Sequence, residues 1–315
     1  MTVFNKIIGF FLLIPALLGL FSSDVKDTEE AYREKVSGIA YENTIETAIP
    51  QTDLYDLIKN HFSTPLPEGK TEKKAIIIGY DGCRADALSL MPGAFSGIQK
   101  MIDDGHPLNI SYCGGVNYPA KNTQATSTAP GWCSILTGEW ADKHKITGNG
   151  ITKSVEPKTL LVSLVEDKTI DSAAFITRWD GHFVDDDSTY KAEKEYCEKN
   201  NLNVEYICTA GDLTSANETI GNIKKDDCSD FIFAIYEGPD AAGHGFGFST
   251  NSPIQEAGFV INDILAYKTI KAIENRDTYE MPTWPVPLPP TPLCLSSACP
   301  ARAPASTEWT HCCPP

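Results

Sequence analysis

Lys74-Ala75-Ile76-Ile77-Ile78-Gly79-Tyr80-Asp81-Gly82-Cys83-Arg84-Ala85-Asp86 is the stretch that decides the fold. Residues 74–80 form a short apolar run with no polar alternation, which suits a strand covered on both faces, as in a parallel sheet. Asp81 and Gly82 follow at once. Glycine lets the backbone turn away and leaves a carboxylate at the strand's C-terminal end, where open parallel sheets bind their ligands. Asp81 is there placed to hold a metal; the same dipeptide also makes an ordinary turn. Arg84 either pairs with Asp86 or faces solvent.

Outward from this stretch the chain repeats a strand-then-helix rhythm. Further strands are expected at Ala173 to Thr177, Val204 to Cys208 and Phe231 to Tyr236. Helices are expected at Phe95 to Asp103, Gly131 to Thr137, Lys158 to Glu166, Tyr190 to Lys199, Leu213 to Ile223 and Ile254 to Asn275. Strands separated by helices of this length predict an α/β fold, a mostly parallel sheet with helices on both faces.

Two more clusters lie where such a sheet gathers its chemistry. Thr126-Ser127-Thr128-Ala129-Pro130-Gly131-Trp132 leads into a helix, with Pro130 suited to its first turn. Thr128 then sits beside free N–H groups that favour an anion. Its hydroxyl serves as a nucleophile if a metal activates it, or else Ser127 or Thr128 caps the helix. Trp132 either stacks on a base or fills the core. The third cluster, Asp240-Ala241-Ala242-Gly243-His244, follows the Phe231 to Tyr236 strand and a Glu237-Gly238-Pro239 turn. Carboxylate and imidazole four residues apart meet one ion if the segment is helical, with Gly243 and Gly245 allowing close backbone approach.

Together the clusters resemble the alkaline phosphatase superfamily, and within it the type I phosphodiesterase/nucleotide pyrophosphatase branch. The resemblance runs through residues 73–280 and rests on Asp81-Gly82-x-Arg84, on Thr128-x-Pro130 with Thr137-Gly138, His144 and Asn149, and on Pro239-Asp240-x-x-Gly243-His244. It implies a metal-dependent phosphohydrolase with two divalent cations, usually zinc. Asp81 and Thr128 would hold one, and Asp240 and His244 the other. Thr128 would be the nucleophile and Asn149 the amide that bonds a phosphate oxygen. The implied partner is a small-molecule phosphate ester, such as a nucleotide.

The chain departs from the family twice. Nucleotide pyrophosphatases usually follow the nucleophile with Phe-Pro-Asn, whereas Ala129-Pro130-Gly131 stands here, which leaves nucleotide diesters, other diesters, monoesters and sulfate esters open. Sulfatases carry Cys/Ser-x-Pro-x-Arg, and no arginine follows Pro130. The family also brings a further Asp-His pair after another strand, and a later His. After Asp277 this chain has no Asp, and its one later His is His311. Each ion is therefore expected to be a ligand short, with the C-terminal part of the fold missing. The alternative function is a non-catalytic extracellular binding protein on the same fold.

The two ends differ from this body. Ile7 to Phe21 is a 15-residue apolar run after Lys6, shorter than the roughly 20 residues a membrane span needs. Residues 1–23 are expected to be a signal peptide or N-terminal anchor, giving a secreted or anchored protein that meets membrane only there. Residues 24–72 read as an extension and 73–280 as the α/β domain. Residues 281–315 hold ten of the chain's 21 prolines and read as a disordered tail: either a genuine linker or the product of a reading frame lost near Glu280. An oxidising compartment lets thiols pair, and Cys197 with Cys208 is the favoured bridge among the six body cysteines. A net charge of −16, from 26 Lys+Arg against 42 Asp+Glu, repels a phosphate backbone and excludes duplex nucleic acid as a partner.

Overall fold

The computed structural model describes residues 28–66, 68–114, 124–276 and 282–283. Its centre is a four-stranded, all-parallel sheet of β1 (Ala75–Tyr80), β2 (Ala173–Thr177), β3 (Val204–Cys208) and β4 (Phe231–Tyr236), in the order β1-β4-β2-β3. Each strand forms where its apolar run predicted, with β1 starting one residue later, at Ala75.

β4 explains the arrangement. All six residues of Phe-Ile-Phe-Ala-Ile-Tyr are buried, because the strand lies between β1 and β2 and both its faces are covered. Successive side chains point to opposite faces. Phe231, Phe233 and Ile235 join one core with Phe175, Trp132, Ile135, Leu136, Leu160 and Leu161. Ile232, Ala234 and Tyr236 join the other with Ile176, Ala216, Ile223, Phe259 and Leu265.

The first core is roofed by α2 (Asp53–Ser63), α4 (Thr128–Thr137) and α5 (Leu160–Glu166). The second is roofed by α3 (Gly97–Asp103), α7 (Asp212–Ile223) and the 22-residue α9 (Pro253–Glu274). Further helices are α1 (Glu29–Ser37), α6 (Lys191–Asn200) and α8 (Gly238–Phe246). The sheet is thus wrapped on both faces, as the rhythm predicted. Residues 28–72 are more than an appendage, since Leu54 and Ile58 of α2 lie in the first core.

Trp132 belongs to that core and is fully buried. A Cβ on Gly79 would come within 2.2 Å of its ring, so the glycine that interrupts the β1 run makes room for α4. This contact packs α4 against β1 near its C-terminal end.

The Cys197–Cys208 bridge does not form; both thiols are free, as are those of Cys83, Cys133 and Cys228. Cys197 lies buried 4.0 Å from the Tyr206 hydroxyl, whereas Cys208, two residues further along β3, lies 3.1 Å from Asp180 Oδ1. Phe183 is part of the first core, and residues 184–187 are an exposed loop. Glu72–Lys73 pairs in parallel with Pro282–Thr283. Among the described residues no helix is long and apolar enough to cross a membrane; the 7–21 run and the rest of the 281–315 tail lie outside them.

Candidate functional site

The first and third clusters meet at the C-terminal ends of β1 and β4, and the second opens α4, whose Trp132 packs against Gly79 of β1. Asp81 continues the β1 ladder, its N–H donating to Tyr236 O at 2.9 Å, and its Oδ1 accepts from Gly82 N–H at 2.9 Å. Gly82 has φ +68°, and a Cβ there would lie 2.4 Å from Asp240 Cα. The turn after β1 and the first turn of α8 are therefore in backbone contact.

Arg84 pairs with Asp86 through two parallel bonds, Nε to Oδ1 at 3.0 Å and Nη2 to Oδ2 at 2.9 Å. Its Nη1 donates to Phe248 O at 3.1 Å, and Thr250 Oγ1 donates to Asp86 Oδ2 at 3.0 Å. Of the two sequence readings, the ion pair holds. It joins the β1 end to the segment leaving α8, so that both ends of the third cluster are fixed to the first.

Asp240 and His244 lie one turn apart on α8, with Nε2 3.5 Å from Oδ1. His244 is 59% exposed and its ring packs edge-on to Phe248. Gly243 is needed because a Cβ would strike the Phe248 ring at 2.2 Å; Gly245 faces open space, and no close approach depends on it. Burial and the neighbouring Asp81 carboxylate push Asp240 up to about 7. The same two causes push Glu237 up to about 7.

Glu237 was read in the sequence only as part of a turn. It accepts from Thr177 Oγ1 at 2.9 Å, Arg178 Nε at 3.1 Å and Trp179 N–H at 3.1 Å. Its own N–H donates to Asp212 Oδ1 at 3.0 Å. Arg178, Asp212 and Glu237 sit one or two residues past strand ends or at a helix start. That position was the signal available, and no short spacing links the three.

Thr128 is buried at the first residue of α4, one turn earlier than the expected Gly131 start. Neither Ser127 nor Thr128 caps the helix: Ser127 makes no capping bond, and its Oγ is buried without a partner among the described residues. The cap comes from Asn149, whose Oδ1 accepts from Ala129 N–H at 3.0 Å. Pro130 has no N–H to give, so Thr128 N–H is what this helix end keeps for an incoming oxygen. Asn149 is exposed, and with its Oδ1 engaged its Nδ2 amide keeps donors to offer.

His144, part of the same motif, is buried and turned away from this surface. Its Nδ1 accepts from Ile146 N–H at 3.1 Å, which leaves the proton on Nε2, 3.1 Å from Ser134 Oγ on α4. Burial pushes its pKa down to about 4, so the ring is neutral at physiological pH. It ties α4 to the segment that leads to Asn149.

The family uses divalent cations, and the donor chemistry agrees in part. Two mutually repelling carboxylates, Asp81 and Asp240, with an imidazole beside one of them, would be relieved by a cation. Among the described residues, however, no group of three or more His, Cys, Asp or Glu side chains is placed to hold a metal ion. Catalytic zinc takes three protein ligands and a water. The described residues do not make up such a centre on their own.

No curated protein matches the sequence. The chain is similar to the solved structure of murine ectonucleotide pyrophosphatase/phosphodiesterase 5, at 17% identity and a TM-score of 0.45, covering 68% of this chain and 55% of that one. It is also similar to an inactive form of the same murine protein in complex with AMP, at 16% identity, a TM-score of 0.46 and the same coverage. The chain spans about half the length of these relatives. The family profile for type I phosphodiesterase/nucleotide pyrophosphatase matches residues 75–280, and with two thirds of its length so matched the chain belongs to that family.

Proposed function

We propose that the chain is built to hydrolyse phosphodiester bonds with Thr128 as nucleophile. The observation that carries this is the Asn149 Oδ1 to Ala129 N–H bond at the start of α4. It holds an amide donor beside a threonine hydroxyl at a helix end, and a phosphoryl group approaching Thr128 meets both Thr128 N–H and Asn149 Nδ2. Thr128 Oγ1 then forms the new bond to phosphorus. The bond to the leaving oxygen breaks, that oxygen keeps the electron pair and takes up, by way of solvent, the proton that Thr128 Oγ1 gives up, and water afterwards hydrolyses the phosphothreonine. Donors fixed before the reaction stabilise the charge that builds on the equatorial oxygens.

Asp81 with Thr128, and Asp240 with His244, would each hold one divalent cation, zinc by preference, and each pair needs a further ligand from outside the described residues. The family's substrates make a nucleotide diester or diphosphate the first choice. Trp132 lies in the core and offers no ring to a base, so base recognition would fall to other residues. One observation favours a second reading: the described residues hold no three-ligand group, which suits a relative that keeps the fold and the anion-facing helix end without turnover.

Hydrolysis of p-nitrophenyl thymidine 5′-monophosphate and of p-nitrophenyl phosphate, with zinc added, separates the readings. Turnover that prefers the diester and disappears in Thr128→Ala supports the hydrolase. No turnover of either ester by folded protein supports the second reading.

A further inference from the structure

Arg178 follows the last residue of β2, at the same end of the sheet as Asp81 and Asp240. It is held firmly. Its Nε donates to Glu237 Oε2 at 3.1 Å and lies 3.6 Å from Asp212 Oδ1. The residues on either side, Thr177 and Trp179, both donate to Glu237 Oε1, and its own carbonyl accepts from Cys208 Sγ at 3.6 Å.

One edge of the guanidinium is thus engaged while the other is not. Among the described residues, Nη1 and Nη2 have no hydrogen-bond partner, and the side chain is 32% exposed. The contrast with Arg84 is instructive, because Arg84 uses both nitrogen edges on Asp86 and on Phe248 O. At the strand ends around Asp81, Asp212, Glu237 and Asp240, Arg178 is the guanidinium with donors to offer. It is also the cation that opposes the upward shift of Asp212, Glu237 and Asp240.

A plain counter-ion would need only the Nε edge, or a lysine. A rigid guanidinium with its planar fork open to solvent is suited instead to phosphate, which it binds through parallel N–H···O bonds. We propose that Arg178 is a substrate-contacting residue of this centre that receives a non-bridging phosphate oxygen on its Nη fork. This rests on the hydrolase reading for the identity of the substrate, although not for the existence of the anion site. Glu237 is then a positioning residue that fixes the plane of the fork.

The test is calorimetric titration of inorganic phosphate and of pyrophosphate into the full chain carrying Thr128→Ala, alone and combined with Arg178→Gln or Arg178→Lys. The thermal midpoint of each protein is recorded beside it. The expected result is a loss of at least tenfold in phosphate affinity for Arg178→Gln. Arg178→Lys recovers part of that loss, since it restores charge without the fork, and its midpoint stays near that of the parent. If Arg178→Gln fails to fold, Arg178→Lys alone decides, because it keeps the charge facing the carboxylates.

Phosphate affinity within twofold of the parent in the variants overturns the proposal, and so does a parent that binds neither anion. Phosphate binding that depends on Arg178 in a chain without Thr128-dependent turnover leaves the anion site standing and removes the hydrolase reading. Turnover that depends on Thr128, with phosphate binding indifferent to Arg178, does the reverse.

Discussion

Gly82 Cα lies so close to Asp240 that a side chain between them is excluded: a Cβ on Gly82 would sit 2.4 Å from Asp240 Cα and 2.7 Å from its nitrogen. Sequence separates the two residues by more than 150 positions, yet their backbones touch, and this contact brings two acidic clusters into one site. The positive φ of Gly82 adds a second reason for glycine, since L side chains are strained there.

Gly82→Ala should therefore act on the site before it acts on the core. The methyl group has backbone in its way and no flexible side chain to push aside, so the first turn of α8 must shift and carry Asp240 with it. A loss of about 1–3 kcal/mol is expected from overpacking and strain. Thr128-dependent turnover should fall by more than that stability loss explains under conditions where the protein is fully folded. Unchanged turnover in a folded Gly82→Ala protein would mean that the spacing of Asp81 and Asp240 does not matter.

Asn149 allows capping and chemistry to be separated. Asn149→Asp keeps an oxygen for Ala129 N–H and places a negative charge at a helix N-terminus, worth about 0.3–1 kcal/mol in stability. It removes the Nδ2 donor and puts a repelling charge where phosphate would lie. The variant should be as stable as the parent or slightly more so, with turnover reduced by about two to three orders of magnitude, in the range seen for loss of one oxyanion donor. Asn149→Ala should lose both. Denaturant midpoints and diester hydrolysis measured on the same preparations check this; an active Asn149→Asp protein would exclude the amide from phosphate binding.

What could be read from the sequence followed how local its cause was. The four strands are runs of apolar residues, and burial on both faces of a parallel sheet depends on little else, so β1 to β4 appeared within a residue of their expected ends. Asp81, Thr128 and Asp240 could be singled out because they stand just past a strand or open a helix, and His244 because it stands one helical turn after Asp240. Asn149 was named through resemblance alone, and its capping of α4 depends on a loop returning after 20 residues, which no local pattern encodes. Glu237, Arg178 and Asp212 come from three different strand–helix junctions and meet only because β4, β2 and β3 are neighbours in that order in the sheet. The disulfide expectation failed for a related reason: strand and helix ends adjacent in sequence gave Cys197 and Cys208 different neighbours once β3 took its register.

His182 predicts how the protein answers to acid. Both ring nitrogens are buried without partners among the described residues, inside a cage of Phe175, Trp179 and Tyr190. Burial pushes its pKa down to about 3, whereas an unfolded histidine titrates near 6.5. Between these values the unfolded chain binds a proton that the native one refuses, so stability is full above about 6.5 and falls as pH drops toward about 3. The slope from one such proton approaches about 1.4 kcal/mol per pH unit. His182→Phe should remove that contribution and flatten the acid limb of stability against pH, leaving His144, held at about 4, to supply a similar slope. Superimposable acid limbs for parent and His182→Phe, measured by urea midpoint from pH 7 to pH 4, would rule this out.

Lys153 and Glu193 form an ion pair from which water is wholly excluded, Nζ to Oε2 at 3.2 Å with both side chains 0% exposed. The pair secures the chain just beyond Asn149. Lys153 also donates to Ser154 O, and its N–H to Thr189 O, while Glu193 on α6 accepts from Thr159 N–H and Oγ1 at the start of α5. Removing one charge strands the other, so Lys153→Met should cost about 3–5 kcal/mol. Glu193→Gln added to it should recover part of that cost. The double variant has no unpaired charge left, and glutamine still offers an oxygen to Thr159, whose buried donors would otherwise go unmet at about 1–3 kcal/mol. The sign of the coupling therefore distinguishes this account from simple packing: a double variant more stable than Lys153→Met agrees with it, and a double variant at the sum of the two single losses does not. Because Asn149 lies only four residues before Lys153, turnover in the double variant should rise with the recovered stability if the pair acts on the site through the position of that loop.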